Sequence, residues 1–321
     1  MTAISRRDFG RALLAAVPAV SVLGTIRLDG TSPGIGVTTS SFHDLPRVPG
    51  RDNVDAVLQA SRSVGATHVE LALTNVEPAP PSTAPVMGGS AAYPRRIVLT
   101  PEEVAATDST ARAALRAWRL GVKPAVVEDV RRRAASAGLT LDACAVAFND
   151  SFTDDEIDAV FRQVKALGVK TVSSPMTLAV ARRLVPFAER HAVAVAIQNH
   201  VDGNAAGLVD GAHLGEALAL SPLFRARLDV GALTASDRDA VAMLREYRPR
   251  AACVIVKDRL RHGGASQPPG EGDTPLAGVL HELAAGPAVP ALFEYDYAGL
   301  RTSVEETKLS LAYLARMTND E

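Results

Sequence analysis

The sequence predicts α/β architecture of one kind, a (β/α)8 barrel (TIM barrel) in a single domain, on three observations. Strand-like and helix-like stretches alternate eight times along the chain, every predicted strand has a polar residue at or near its C-terminal end, and no glycine-rich phosphate loop follows the first strand. Crossovers through helices make neighbouring strands parallel, and eight such strands close into a filled cylinder. An open doubly wound sheet is the alternative, and the missing glycine loop counts against it.

The predicted strands are 34–41 (GIGVTTSS), 68–73 (HVELAL), 141–148 (LDACAVAF), 171–175 (TVSSP), 193–199 (VAVAIQN), 225–231 (RARLDVG), 251–258 (AACVIVKD) and 290–296 (PALFEYD). Amphipathic helices are predicted near 53–65, 125–137, 154–168, 177–191, 211–220, 236–248, 275–285 and 302–316. In "LAVARRLVPFAERH" the residues Leu178, Ala181, Leu184 and Val185 gather on one side and Arg and Glu on the other, so this helix packs outside the sheet. The second connection breaks the spacing. Residues 75–110 are rich in Pro, Gly, Ser and Thr and read as a long surface loop placed to lie over the barrel mouth as a lid. The segment 263–275 (GGASQPPGEGDTP) reads as a mobile loop, with Asp273 or Thr274 capping the next helix and Pro275 in its first turn.

Ahead of the barrel, Ser5-Arg6-Arg7-Asp8-Phe9 precedes an apolar run over residues 12–24, shorter than the roughly 20 residues a membrane span needs. This resembles a twin-arginine export signal, so residues 1–32 are expected to be a signal and linker and 33–321 the barrel, with the folded protein in the periplasm or outside the cell. No stable membrane span is expected after export. A net charge of −2, from 34 basic and 36 acidic residues, gives no global field for nucleic acid or anionic lipid. A small neutral partner fits better. Cys144 and Cys253 lie in apolar runs without metal-ligand spacing and are expected to be buried thiols.

In a barrel the strand C-termini build the site. Here they bring Ser40, Glu70, Asn149, Ser173, Ser174, Gln198 with His200, Asp229, Lys257 with Asp258, and Glu294 with Asp296. Alternation puts Ala194, Ala196 and Gln198 on one face of their strand, and Leu292 and Glu294 on one face of theirs, pointing to the barrel axis.

From Leu115 to Met317, about two thirds of the chain, the stretches "FNDSFTDDEIDAVF", "LVPFAERHAVAVAIQNH", "LDVGALTA", "VKDR", "GEGDTP" and "FEYDY" resemble the exported branch of the sugar phosphate isomerase/epimerase family, the xylose-isomerase-like barrels. The resemblance implies a divalent metal held on strands five to eight and proton transfer next to a sugar carbonyl. Position by position it implies Glu or His at Gln198, Asp at Asp229, His at Ile255 and Glu at Glu294, and the usual "DIGH" reads "DVGA", with Ala232 for a further His. Gln198, Asp229 and Glu294 are thus a depleted metal set, suited at most to weakly bound Mn²⁺ or Mg²⁺, because charge and coordination number fall together.

Isomerisation, epimerisation and β-elimination from a keto-sugar all begin with loss of a proton beside a carbonyl and need the enolate stabilised. Glu294 or Asp229 is the expected base, Lys257 the positive charge for the enolate oxygen in place of missing metal charge, and His200 the acid. Glu70 and Asn149 are expected to contact sugar hydroxyls from the opposite wall, with Asp258 and Arg259 beside Lys257 as substrate contacts or a local ion-pair cluster. The substrate expected is an unphosphorylated carbohydrate, since no basic cluster marks a phosphate. The competing reading is a degraded barrel that binds carbohydrate, or supports a partner subunit, without turnover.

Overall fold

A computed structural model describes residues 34–80, 86–89, 94–297 and 299–319, so the expected export signal lies outside the described residues. Eight parallel strands close into a barrel: β1 (Gly36–Thr38), β2 (His68–Ala72), β5 (Thr140–Ala145), β6 (Thr171–Ser174), β7 (Ala194–Gln198), β8 (Phe224–Asp229), β9 (Ala251–Val256) and β12 (Ala291–Phe293). Each pairs with the next in the chain, and β1 closes the ring on β12 through Gly36 opposite Leu292. Each of the eight predicted strands is present, at a predicted position.

The outer layer is α1 (Val54–Ser63), α4 (Pro124–Ser136), α5 (Asp154–Ala166), α6 (Leu178–His191), α7 (Leu214–Ala219), α9 (Ala240–Tyr247), α10 (Leu276–Ala285) and α11 (Ser303–Asn319). Their starts have local causes. Thr153 opens α5 through a capping box with Glu156, and Thr177 accepts the Val180 amide at the start of α6. The main core lies between this layer and the outward strand faces, where Val254, Val256 and Phe293 join Val279, Leu283 and Leu314. Inside the barrel a separate apolar plug of Cys253, Ile255 and Leu292 forms the floor of the site. Both cysteines are buried free thiols, as expected, and burial raises their pKa values.

Three departures bear on function. The 75–110 segment is not a bare loop but carries the antiparallel pair β3 (Val86–Gly89) and β4 (Pro94–Ile97), then α2 (Pro101–Ala105) and the start of α3 (Ser109–Gly121). A buried ion network fixes it. Arg119 donates to Glu77 at 2.7 Å and Glu102 at 2.6 Å while its guanidinium lies 4.4 Å from the Phe152 ring centre. Between β8 and α9 the chain makes an extra helix, α8 (Val230–Ala235). The 263–275 segment is tied down rather than free, its strand β11 (Ser266–Gln267) pairing antiparallel with β10 (Asp258–Arg259) just ahead of it. Among the described residues, no helix is long and apolar enough to cross a membrane.

Candidate functional site

Strand alternation aims Glu70, Gln198, Arg227, Asp229 and Lys257 inward, above the apolar plug. The pairing register slips beside two of them, where Asp142 of β5 and Ala252 of β9 are the extra residues opposite Val69–Glu70 and Ala226–Arg227. Across the barrel Arg227 holds Glu70 in a two-pronged pair, Nε to Oε1 at 3.0 Å and Nη2 to Oε2 at 2.6 Å, and Ser173 Oγ donates to Glu70 Oε1 at 2.6 Å. Arg227 Nη1 donates to Gln198 Oε1 at 2.5 Å. A buried pair broken on one side costs about 3–5 kcal/mol because a charge is left uncompensated, so this layer acts as structure under the site.

One level higher, at the C-terminal ends of the strands, stands Lys257. Its Nζ lies 2.8 Å from Glu294 Oε2, 2.8 Å from Asp296 Oδ2 and 3.2 Å from Asp229 Oδ2. Burial alone lowers an amine pKa, but the carboxylates of Asp229, Asp296 and Glu294 more than reverse it, and Lys257 is held as ammonium. The same contact acts on its partner. Burial favours the neutral acid of Glu294, yet Lys257, then Arg227, bring its pKa down to about 2. Ser40 Oγ donates to its other oxygen at 3.1 Å.

Asp229 is committed on both oxygens. Oδ1 accepts the Ala232 amide at 2.9 Å and so caps α8, and Oδ2 accepts Gln198 Nε2 at 3.2 Å beside Lys257. Asn199 brackets the same residue, donating to the Asp229 carbonyl and accepting its amide. Gly231 makes the close packing possible, since a Cβ there would sit 2.9 Å from Lys257 Cβ.

His200 follows β7, its backbone amide bonded to the Val209 carbonyl at 2.8 Å. Its Nε2 is buried without a hydrogen-bond partner. Burial lowers its pKa, with Lys257 and Arg227 opposing protonation and Asp229 and Glu294 favouring it, so the ring is neutral at pH 7. Beside the charged cluster a cavity of about 250 Å³ opens, lined on its polar side by Ser40, Asn75, Glu294 and Asp296. Its apolar wall includes Tyr295 stacked on His43, centroids 5.2 Å apart, and its rim includes Val98, Thr100 and Glu103 from the long second connection.

The structure therefore brings Glu294, Lys257, Asp229 and Gln198 together, with His200 near enough to feel their charge. It does not place the other four expected residues in this cluster, and each has partners of its own. Glu70 is wholly buried as the counter-ion of Arg227. Asn149 is exposed and bonds its own turn, at the Ala147 carbonyl and Ser151 amide. Asp258 accepts the amides of Gly270, Gly272 and Thr274 and thereby fixes the 263–275 segment, while Arg259 donates to the Gly264 carbonyl. The expected helix cap fails as well: Pro275 is the N-cap of α10, and the Thr274 and Asp273 side chains accept the amides of Arg259 and Arg261. Sequence reasoning passed over Arg227, although it shares the inward face of Asp229, and gave Asp296 no role, although it shares the parity of Glu294.

The residues present do not fit a divalent metal at the place the sequence resemblance implies. Gln198 Oε1 is turned to Arg227, Ile255 belongs to the apolar plug, and the oxygens of Asp229 and Glu294 face Lys257. Among the described residues, no group of three or more His, Cys, Asp or Glu is placed to hold a metal ion.

No protein-family model matches the chain, and no curated protein matches it. Solved structures do. An L-ribulose 3-epimerase aligns with TM-score 0.58 at 13% identity, covering 89% of this chain and 94% of that one. A xylose isomerase domain protein from Alicyclobacillus acidocaldarius aligns with TM-score 0.56 at 14% identity, over 88% and 97% of the two chains. A 3-keto-D-glucoside 4-epimerase from E. coli gives TM-score 0.54 at 12% identity, over 87% and 98%. At these identities the likeness is one of fold: the chain is a closed (β/α)8 barrel, similar in fold to those proteins.

Proposed function

We propose that this barrel is a carbohydrate isomerase or epimerase that moves a proton next to a carbonyl of an unphosphorylated sugar. The observation that carries the reading is the Lys257 ammonium seated among Asp229, Glu294 and Asp296, the last two of which line a cavity with an aromatic wall, with a neutral His200 close enough to feel their charge. The named activities of two of the fold neighbours, an L-ribulose 3-epimerase and a 3-keto-D-glucoside 4-epimerase, are of this class. At about 250 Å³ the cavity is below the roughly 300–1,000 Å³ of drug-sized sites, which suits a single sugar ring. Acidic side chains line it opposite one arginine, Arg47, which is turned to the Thr74 carbonyl, an arrangement that disfavours a phosphate.

In this reading His200 takes the proton. A neutral imidazole with a free Nε2 has a proton affinity suited to neutral pH, whereas a carboxylate at about pKa 2 is a weak base, so Glu294 is reassigned from proton acceptor to charge partner. Lys257 faces the oxygen that becomes the enolate. Asp296 is the most exposed of its three partners and is the one a substrate oxygen replaces, leaving Glu294 and Asp229 to hold the amine. The ammonium is pre-placed, so little reorganisation is needed as negative charge develops. The test is a panel of aldoses, ketoses and 3-keto-glycosides with product separation: turnover of one of them, abolished in Lys257→Met, is the expected outcome. Binding of a sugar with no turnover of any would favour the carbohydrate-binding barrel.

A further inference from the structure

The carboxylates at the strand ends form a seat for a cation, and the chain fills that seat itself. Four acidic side chains, Glu70, Asp229, Glu294 and Asp296, converge with two cations, Arg227 and Lys257. Arg227 is matched with Glu70, which leaves three carboxylates to one amine. The ammonium donates to Asp296 Oδ2 at 2.8 Å and pairs by charge with Glu294 at 2.8 Å and Asp229 at 3.2 Å. A small divalent ion needs its oxygens at roughly 2.0–2.1 Å, whereas these stand 2.8–3.2 Å from the amine, so as placed they hold an ammonium and not a metal, and would take one only by closing in once the amine is gone. Nor is the lysine free to swing aside: it is 7% exposed, and the first turn of α8 closes on its stem at Gly231.

We propose that Lys257 is a built-in substitute for a divalent metal ion: its ammonium occupies a carboxylate cage that binds Mn²⁺ once the amine is removed. The inference goes beyond the proposed reaction and does not depend on turnover, because it concerns only which cation the cage holds. Loss of the three His or Glu positions implied by the sequence resemblance, at Gln198, Ala232 and Ile255, is then one change with the gain of an internal cation. Asp229, Glu294 and Asp296 keep the negative charge that either kind of cation requires.

The experiment titrates Mn²⁺ into metal-free wild type and Lys257→Met by calorimetry and follows both by thermal melt. Wild type is expected to take up no stoichiometric Mn²⁺. Lys257→Met, which keeps the stem and removes the charge, is expected to bind one Mn²⁺ per chain about a hundredfold more tightly than wild type, since a neighbouring positive charge no longer opposes it. Its melting temperature should fall without metal, from repulsion among the carboxylates, and rise again with Mn²⁺. Adding Asp296→Asn to that variant should weaken the Mn²⁺ response. If Lys257→Met does not fold without metal, refolding in Mn²⁺ is the readout, and recovery supports the proposal. Stoichiometric Mn²⁺ binding by wild type overturns it, as does a Lys257→Met protein that gains neither affinity, melting temperature nor recovered folding from Mn²⁺.

Discussion

At the scale of single residues the site separates roles that the sequence leaves merged. Three carboxylates end the strands, and by composition each is a candidate base. The geometry makes Asp229 a helix cap and lysine partner, Glu294 a lysine partner held near pKa 2, and Asp296 the exposed third wall. Among the described residues, His200 alone combines an unpartnered ring nitrogen with a lowered pKa. The two assignments predict different pH profiles. His200 works as a base only when neutral, so kcat/KM should fall on the acid side below the ordinary imidazole value of about 6.5. His200→Ala should lose roughly 10²–10⁴-fold in rate together with that acid limb. Glu294→Gln should lower the rate through a loosened Lys257 while keeping the limb at the same pH. A Glu294→Gln protein that loses the limb would return the base to Glu294.

At the scale of elements, strand positions and most helices are legible because burial on both faces imposes apolar runs, and the outer helices show one apolar stripe. Less legible is what depends on partners distant in sequence. Alternation already places Arg227 on the inward face of Asp229, but nothing local says that a buried arginine is affordable there; its counter-ion, Glu70, lies 157 residues away. Asp258 and Lys257 are neighbours in sequence with opposite fates, one fixing the 263–275 segment and one entering the site. The extra helix α8 was hidden because "DVGA" was read for its missing histidine rather than for Asp229 as a cap.

The opposite end of the barrel carries an element-scale prediction. His68 at the start of β2 bonds Asp142 of β5 through Nδ1 and the Gly34 carbonyl through Nε2, both at 2.5 Å, and so ties three strands together. Burial lowers its pKa, but the two acceptors outweigh it and the net shift is upward. A raised pKa means the link stabilises fully below about pH 6.5 and is lost as pH rises through the folded-state value. Melting temperature should therefore decline from pH 6 to pH 9, and His68→Gln should flatten that decline. An unchanged slope in the variant would remove His68 as its source.

At the scale of the whole molecule, closure of the ring is what gathers the site, since its residues come from strands spread over most of the chain. β2 gives Glu70, β7 Gln198, β8 Arg227 and Asp229, and the chain just past β9 and β12 gives Lys257 and Glu294. The long second connection adds a rim, with Thr100 and Glu103 lining the cavity and Arg119 anchoring the segment behind them. Its position over the mouth follows from barrel topology. Its hairpin and buried ion network do not, because polar and proline-rich composition looks alike in a bare loop and in an ordered insertion.

Solvent exchange tests the central claim most directly, because proton abstraction beside a carbonyl precedes every net outcome this site is proposed to catalyse. Wild type and His200→Ala would be incubated in D₂O with simple ketoses and with a 3-keto-glycoside, in buffer containing EDTA, and deuterium at the carbon next to the carbonyl would be followed by NMR. The account predicts enzyme-dependent incorporation by wild type in the presence of chelator, reduced roughly 10²–10⁴-fold in a folded His200→Ala. Incorporation that His200→Ala matches, or that appears only when divalent metal is restored, would contradict it.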